Sequence, residues 1–303
     1  MAASATTIAN MAQRQPAHLR ALEHRHGATA ARPLAQALRD TEADAAHRWL
    51  LATTPTRPVP GDQELRALIR HITVQLDAAF HGQGAHATRE AQFAAYNAAS
   101  YALAQASLLT THLRGIAPPE NVPVETGPVA GRAATGIPAA IEEEHQRALA
   151  LLTTAGLTAG GMSGLRTVFS RARRAVSRIT AGVAVAVTAA AANAALALAR
   201  HLGPGMRMLW VAEPGACPAC AAYAGRSIPV GGHFPGGVSL DSTRAVFLTS
   251  IPGPPRHPHC RCVLIPWHYR WATTGGTSLP VLLQQRARAG TAAGALASAG
   301  RTA

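Results

Sequence analysis

The sequence contains no lysine, few aromatic residues and only four cysteines. Because lysine is absent, all 28 basic residues are arginine, and the formal net charge of +13 comes from arginine alone. Aromatic residues make up 4% of the chain, and alanine is the largest part of its hydrophobic content. Alanine favours helix but buries little area per residue. The composition therefore excludes a large core of bulky side chains, and it predicts long alanine-rich helices that gain stability from partners.

The sequence also shows no internal repeat and no secretory signal. Residues 1–10 (MAASATTIAN) lack the charged and apolar regions of a signal peptide, so we expect no secretion and a cytosolic chain. In a cytosolic chain, four cysteines in two close pairs favour a metal site over disulfides. Two disulfides or free buried thiols are the alternatives.

The basic charge is concentrated in the C-terminal portion. Residues 1–115 hold 11 arginines against 8 acidic residues, and residues 116–165 hold 2 against 5. Residues 166–303 hold 15 arginines against Glu213 and Asp241 only, which equals the whole net charge of +13. This portion either contacts the phosphates of a nucleic acid or presents a solvated arginine-rich surface.

Apolar periodicity and helix breakers predict an α+β fold with an alanine-rich helical N-terminal region. Residues 8–52 predict two or three helices, because Pro16 and Pro33 interrupt the pattern. Asp62 is placed to cap the next helix. The predicted parts are a helical region over 1–114, a proline- and glycine-rich linker over 115–140, helices over 141–202, a small loop-rich β-containing module held by a metal over 203–270, and an alanine- and arginine-rich tail over 271–303.

Two of the predicted helices have compositions that could suit contact with a membrane or with phosphates. Residues 166–179 predict a basic amphipathic helix, which suits a solvated face or a contact with nucleic acid or acidic lipid. Residues 181–199 are uncharged and long enough to span a bilayer. Alanine is only weakly apolar, however, and Thr188 and Asn193 lie in the middle of this stretch. We therefore predict a buried or helix-packing segment and no membrane partner.

The candidate metal ligands lie in two short segments of the β-containing module. Residues 217–220 (CPAC) form a tight turn that directs the thiolates of Cys217 and Cys220 to one centre. About forty residues later, Cys260 and Cys262 share one face if they begin a strand, and His257 lies three residues upstream of Cys260. Tetrahedral zinc takes four nitrogen or sulfur ligands. We predict one structural zinc ion held by Cys217, Cys220 and Cys260, with Cys262 or His257 as the fourth ligand.

A catalytic site is the competing interpretation of the same residues. Arg256 and Arg261 lie beside the thiolates and would lower their pKa, and Cys260 with His257 or His259 makes a conceivable nucleophilic pair. The pair has no visible acidic partner, and four protein ligands leave no position for water. We therefore expect no enzymatic activity. A zinc-dependent nucleic-acid-binding module and, less favoured, a metal-dependent hydrolase or nuclease using His257 and His259 are the alternatives.

Four motifs follow one another in the C-terminal module: WVA at 210–212, CPAC at 217–220, GRSI at 225–228 and PPRHPHCRC at 254–262. Their order over residues 190–266, about a quarter of the chain, resembles the phage Mu F-like minor head protein family. Where the family has Asp-Gly this chain has Ala224-Gly225, and where it has asparagine before CRC this chain has His259. The polar helix that often precedes the tryptophan is replaced by the alanine-rich stretch around Asn193.

The resemblance implies a non-enzymatic head morphogenesis protein of the virion. Members of the family bind the portal through a helical N-terminal region and lie inside the procapsid. For this chain the resemblance implies portal protein and capsid or scaffold proteins as partners, synthesis in the host cytoplasm, and a place in the virion interior with an influence on DNA packaging or ejection. The basic C-terminal portion adds double-stranded DNA as an expected contact.

Overall fold

The computed structural model describes residues 3–115, 126–241, 243, 246–271, 273, 274 and 276–299, with only the backbone in 126–135 and 293–299. It is mostly helical, with one small sheet in the C-terminal part, so the predicted α+β fold class is confirmed. The elements are α1 (Ala5–Leu51), α2 (Asp62–Phe80), α3 (Gln83–Arg114), α4 (Thr126–Leu151), α5 (Thr154–Ala172), α6 (Arg174–His201), β1 (Arg207–Val211), α7 (Pro218–Ala221), β2 (Ser227–Pro229), β3 (Val263–Trp267) and α8 (Leu279–Ala299).

The chain divides into two compact units. Unit 1 comprises Met1–Glu23, Gln92–Gly131 and Ala184–Ala303, and unit 2 comprises His24–Ala91 and Arg132–Val183. Helices α1, α3, α4 and α6 contribute residues to both. The whole β-containing module and the candidate metal ligands belong to unit 1.

The helices differ from the prediction at three places. Residues 5–51 form one helix although they contain Pro16 and Pro33; each proline costs about 3 kcal/mol, and buried side chains such as Leu34 and Leu38 offset this cost. Of the predicted linker over 115–140, residues 126–140 form the start of α4, and residues 116–125 lie outside the described part. The basic helix predicted over 166–179 is interrupted at Arg173, where α5 ends and α6 follows.

Unit 2 contains a buried carboxylate surrounded by arginines. The side chain of Glu144 is 1% exposed, and its Oε2 forms an ion pair with Arg171 Nε at 2.9 Å. Arg147 and Arg178 approach its Oε1, each at 3.5 Å. A buried charge needs such partners, because an unpaired one costs several kcal/mol. Much of the arginine in residues 166–179 is thus paired within the protein.

The alanine-rich helix α6 is largely buried, as predicted for a helix-packing segment. Val187, Ala190, Ala194 and Leu198 are all buried. Within the described part of the chain, one helical stretch, Thr154–His201, is long and apolar enough to cross a membrane. An 18-residue window within it has a mean hydropathy of 1.9. Of that window 61% is buried inside the protein, and core helices of soluble proteins have the same length and composition.

The sheet of unit 1 has the strand order β2-β1-β3, and both pairs are antiparallel. The register places Arg207 opposite Pro229 and Trp267, and Val211 opposite Val263. Outside this sheet, Ile251 forms an isolated antiparallel bridge with Phe234.

An aromatic cluster forms the core beside this sheet. Trp210, Tyr223 and Phe234 are fully buried, with ring centroids 5.0–5.8 Å apart. Cys220, Cys260 and Cys262 belong to the same core. Three of the chain's few large side chains are therefore concentrated where the cysteines converge.

Candidate metal centre

The first ligand segment is an ordered turn that presents two sulfur atoms. Cys217 caps the short helix α7, and Pro218 occupies its first position, where the fixed φ of proline suits a helix start. The Cys217 Sγ accepts from the backbone N–H of Cys220 at 3.5 Å, and the Cys217 carbonyl accepts from the N–H of Ala221 at 2.9 Å. Cys217 is partly exposed, whereas Cys220 is buried.

The second ligand segment has a similar construction. His257 is followed by Pro258, and the backbone N–H of Cys260 donates to the His257 carbonyl at 3.0 Å. The segments CPAC and HPHC thus share a ligand, a proline, and a second ligand three residues on. Cys260 and Cys262 are each 1% exposed and precede β3, so the condition that they begin a strand is not met.

The five predicted donors converge in two overlapping groups. Within each group the donor atoms lie within 4.8 Å of one another: one contains Cys217, Cys220 and His257, and the other contains Cys220, Cys260 and Cys262. Cys220 belongs to both. Among the described residues, no four donors meet this distance together, and His259 belongs to neither group.

The measured separations suit a tetrahedral ion. Two thiolates on one zinc ion lie about 3.8 Å apart, and a thiolate and an imidazole nitrogen about 3.6 Å, given Zn–S near 2.3 Å and Zn–N near 2.0–2.1 Å. The Sγ atoms of Cys220 and Cys260 are 3.7 Å apart. His257 Nε2 lies 3.3 Å from the Sγ of both Cys217 and Cys220. The residues of these two groups could therefore hold a metal ion.

The imidazole of His257 is oriented as metal-binding histidines are. Its Nδ1 lies 2.8 Å from the carbonyl oxygen of Pro258. Because a carbonyl only accepts, Nδ1 carries the proton in this hydrogen bond, which leaves Nε2 free as the atom that faces the sulfurs. Phe247 stacks on the ring with centroids 5.8 Å apart.

Contacts within the cluster lower the pKa of two thiols and raise that of the other two. The hydrogen bond with Cys220, and then that with His257, lowers the pKa of the Cys217 thiol to about 4. The hydrogen bond with Cys220 also holds the pKa of Cys260 well below its usual range. The hydrogen bond to Cys217 raises the pKa of His257 to about 9. The hydrogen bond with Cys217 raises the pKa of the Cys220 thiol. Although the hydrogen bond with Cys220 acts to lower it, the pKa of Cys262 is also raised, by Cys260 and by burial. Negative charge thus resides on Cys217 and Cys260, where a cation is stabilised.

Arg261 does not face the sulfurs but forms a buried ion pair. Its Nε donates to Glu23 Oε2 at 2.7 Å, and the Glu23 side chain is only 4% exposed. Arg261 Nη1 also lies 3.9 Å from Glu213 Oε2, which Arg20 contacts at 3.3 Å. Burial raises the pKa of Glu23 to about 7 although Arg261 acts to lower it.

A second polar contact joins α6 to the metal-binding segment. The Thr188 hydroxyl donates to the backbone carbonyl of Cys260 at 2.8 Å and lies 3.5 Å from Glu23 Oε1. Thr188 is fully buried. Glu23, Thr188 and Arg261 therefore fix the segment that carries Cys260 and Cys262 against helices α1 and α6.

Arg256, like Arg261, is committed to partners other than the thiolates. Its guanidinium donates to the carbonyl oxygens of Phe247 and Thr249. It also lies 5.2 Å from the centroid of the Phe247 ring and 5.7 Å from that of Tyr223. Arg256 thereby stabilises the loop that supports His257 through Phe247.

The residue before Cys260 has a left-handed backbone. His259 has φ +61, in the left-handed region that asparagine and histidine enter more readily than most residues. Asparagine and histidine therefore satisfy the same backbone requirement before Cys260.

No protein family, no curated protein and no solved structure matches the chain.

Proposed function

We propose that Cys217, Cys220, Cys260 and His257 bind one structural zinc ion. The observation that carries this proposal is the convergence of two similar segments, CPAC and HPHC, with Cys220 Sγ 3.7 Å from Cys260 Sγ and 3.3 Å from His257 Nε2. Soft thiolates with an imidazole are a donor set typical of zinc. Cys262 is then a buried thiol beside the site, available as an alternative fourth ligand.

The role of this metal is structural rather than catalytic. Five donors compete for four positions, so water has no place at the ion, and a catalytic zinc needs an open position. A closed site would instead join two segments of a module that has few large apolar side chains. Metal binding then contributes directly to the folding free energy.

Elemental analysis of the purified protein and three variants tests the ligand set. We expect one zinc per chain in the wild type and in Cys262→Ala, and loss of zinc in Cys220→Ser. His257→Ala should bind zinc more weakly in competition with a chelator. A wild-type protein that contains no metal after reducing purification contradicts the proposal, and loss of zinc in Cys262→Ala alone would make the site all-cysteine.

We further infer that the chain is a minor head protein of a phage, associated with the portal inside the procapsid. The ordered motifs of residues 190–266 support this inference, together with the left-handed backbone at Gly225 and His259, where the family has glycine and asparagine. The long helices α1 and α3 offer extended surface for assembly with portal and capsid or scaffold proteins.

Co-expression with the portal protein of the same phage tests this role. We expect the two proteins to co-purify, and we expect this chain in purified procapsids at low copy number. Absence from procapsids, with no portal association, would contradict the role without bearing on the metal site.

A further inference from the structure

Basic and aromatic side chains meet at one end of the sheet, where β1 begins. We name this surface the basic end, and it comprises Arg200, His201, Arg207, His268, Tyr269, Arg270 and Trp271. Arg207 pairs with Trp267 in the sheet, which places the turn after β3 beside the start of β1. His268 Nε2 lies 2.9 Å from the position of a Cβ on Gly205, so this turn also contacts the segment between α6 and β1.

The basic end lies away from the candidate metal centre. Cys262 directly precedes Val263 at one end of β3, whereas the basic end adjoins Trp267 at the other. The five residues of β3 separate Cys262 from His268, a distance of about 20 Å along the strand. Between α6 and the sheet, a cleft of about 500 Å³ is lined by residues that include Arg200, Gly205, Arg207 and Pro229.

The positive charge of the basic end is not compensated by nearby acids. In the described ranges, Arg200, Arg207 and Arg270 form no ion pair with a carboxylate. Glu213 follows the far end of β1 and is engaged by Arg20 and Arg261. The C-terminus of α6 contributes roughly half a negative charge. Three arginines therefore leave a net positive charge of about two to three.

One of these arginines is held in a fixed orientation. Arg207 donates through Nε to the Ser227 hydroxyl at 2.9 Å and through Nη2 to the Ser227 carbonyl at 2.8 Å. Its Nη1 is not used in these hydrogen bonds. Arg200 and Arg270 are exposed, and Arg270 donates through Nε to the Tyr269 hydroxyl at 3.0 Å, which holds its guanidinium beside that ring.

The aromatic part of the basic end distinguishes it from an ordinary solvated arginine surface. Tyr269 is 66% exposed, with His268 stacked at 4.7 Å between centroids and the Arg270 guanidinium 5.4 Å from its ring. Trp271 lies 6.1 Å from His268. Exposed aromatic rings beside arginines are the means by which proteins hold nucleic-acid strands, with phosphates on the cations and bases on the rings.

We propose that the basic end binds a nucleic-acid strand. Arg200, Arg207 and Arg270 contact successive phosphates, and Tyr269 contacts a base or sugar. This site adds a nucleic-acid partner to the proposed structural role and does not depend on which residue is the fourth metal ligand.

Fluorescence anisotropy with a labelled 20-nucleotide single strand and with a duplex of the same length tests the proposal. The full-length protein is used with its metal content verified, so a failure of the metal site is recognised separately. The variants are Arg200→Ala/Arg270→Ala and Tyr269→Leu. Arg288→Ala is the matched control, because Arg288 is an exposed arginine of α8 in the same unit.

The double arginine variant should reduce the slope of log affinity against log salt by about 1.4 to 1.8, since each lost phosphate contact removes about 0.7 to 0.9. Tyr269→Leu should weaken single-strand binding about fivefold or more, the effect of losing one stacked base, with little change in the slope. Arg288→Ala should leave both quantities unchanged.

Three results would overturn the proposal. The first is a wild type that binds neither probe at 50 mM salt. The second is an Arg288→Ala variant that weakens binding as much, per charge removed, as the double variant does. The third is binding to vesicles of phosphatidylserine and phosphatidylcholine with the same dependence on Arg200 and Arg270 and without oligonucleotide binding, which would identify the surface as a membrane contact.

Discussion

Replacing Glu23 by glutamine should remove a large part of the pH dependence of stability in unit 1. Glu23 is buried between Arg261 and Thr188, and burial raises its pKa from 4.5 to about 7. Glutamine has nearly the same shape and keeps an oxygen that accepts from Arg261. The substitution therefore removes the titration with little change in packing.

The sign and size follow from proton linkage. Between pH 4.5 and 7 the folded state holds a proton on Glu23 that the unfolded state has released, so the free energy of unfolding falls as pH rises. The stabilising contribution is fully present below pH 4.5 and is lost as pH rises through 7. A shift of about 2.5 pH units corresponds to about 3 kcal/mol at 1.36 kcal/mol per unit.

Urea unfolding at pH 5, 6, 7 and 8 measures this difference, followed by tryptophan fluorescence and circular dichroism in zinc-containing buffer. Relative to the wild type, Glu23→Gln should gain about 2 to 3 kcal/mol between pH 5 and pH 8. Glu213, whose pKa burial also raises, and the cysteines titrate in both proteins, so their effects largely cancel in the comparison. Parallel pH curves for the two proteins would refute the reasoning.

Three further predictions concern the backbone and the metal. Gly225→Ala should cost more than about 3 kcal/mol, because the left-handed φ of +74 costs about 1–2 kcal/mol and a Cβ would lie 2.1 Å from the Pro280 carbonyl oxygen. Gly231→Ala, with φ +85 and open space around it, should cost only the strain, and equal losses in urea unfolding would contradict this account. His259→Val should cost about 1–2 kcal/mol while His259→Asn leaves the urea midpoint unchanged; equal effects would argue against the left-handed conformation. Removal of zinc by a chelator should diminish the near-ultraviolet dichroism of the Trp210 cluster while most helical signal persists, and an unchanged spectrum would show that the metal does not support the core.

The candidate site could be predicted from sequence to the extent that its geometry is local. The turn at Cys217 and Cys220 needs only the spacing and the proline. The segment from His257 to Cys260 has the same spacing and a proline, so a similar turn could be predicted there. The choice of a fourth ligand could not be predicted, because it depends on how the Pro258 carbonyl and Phe247 orient the His257 ring.

The buried partners of the site were beyond the reach of a sequence pattern. Arg261 pairs with Glu23, 238 residues away, and Thr188 donates to Cys260 across 72 residues. Arg261 lies between Cys260 and Cys262 in the sequence, which suggested a contact with the thiolates, but its guanidinium contacts Glu23 instead. The contact of Thr188 could not be predicted either, because a hydroxyl that donates to a carbonyl far away in the sequence leaves no periodic pattern in residues 181–199.

Helices formed where the composition predicted them, and they also formed at some places where glycine and proline predicted a loop. Strands β1 and β3 coincide with apolar runs between glycine and proline, so their existence was predictable. Residues 126–140 form a helix in spite of their glycines and Pro138. Each glycine costs only about 1 kcal/mol in a helix, so a run of breakers indicates a loop without requiring one.

The close approach of Cys220 and Cys260 has a consequence for how the chain reaches its folded state. An ion bound to both closes a loop of 40 residues, and such a cross-link in a flexible chain removes about 4 kcal/mol of conformational freedom. Because the cost of closing a loop grows only with the logarithm of its length, doubling the intervening segment would add about 0.6 kcal/mol. An insertion at an open position of this stretch such as Gly231, outside β2 and the aromatic cluster, would therefore cost little in loop closure, whereas the ligand segments themselves tolerate no such change.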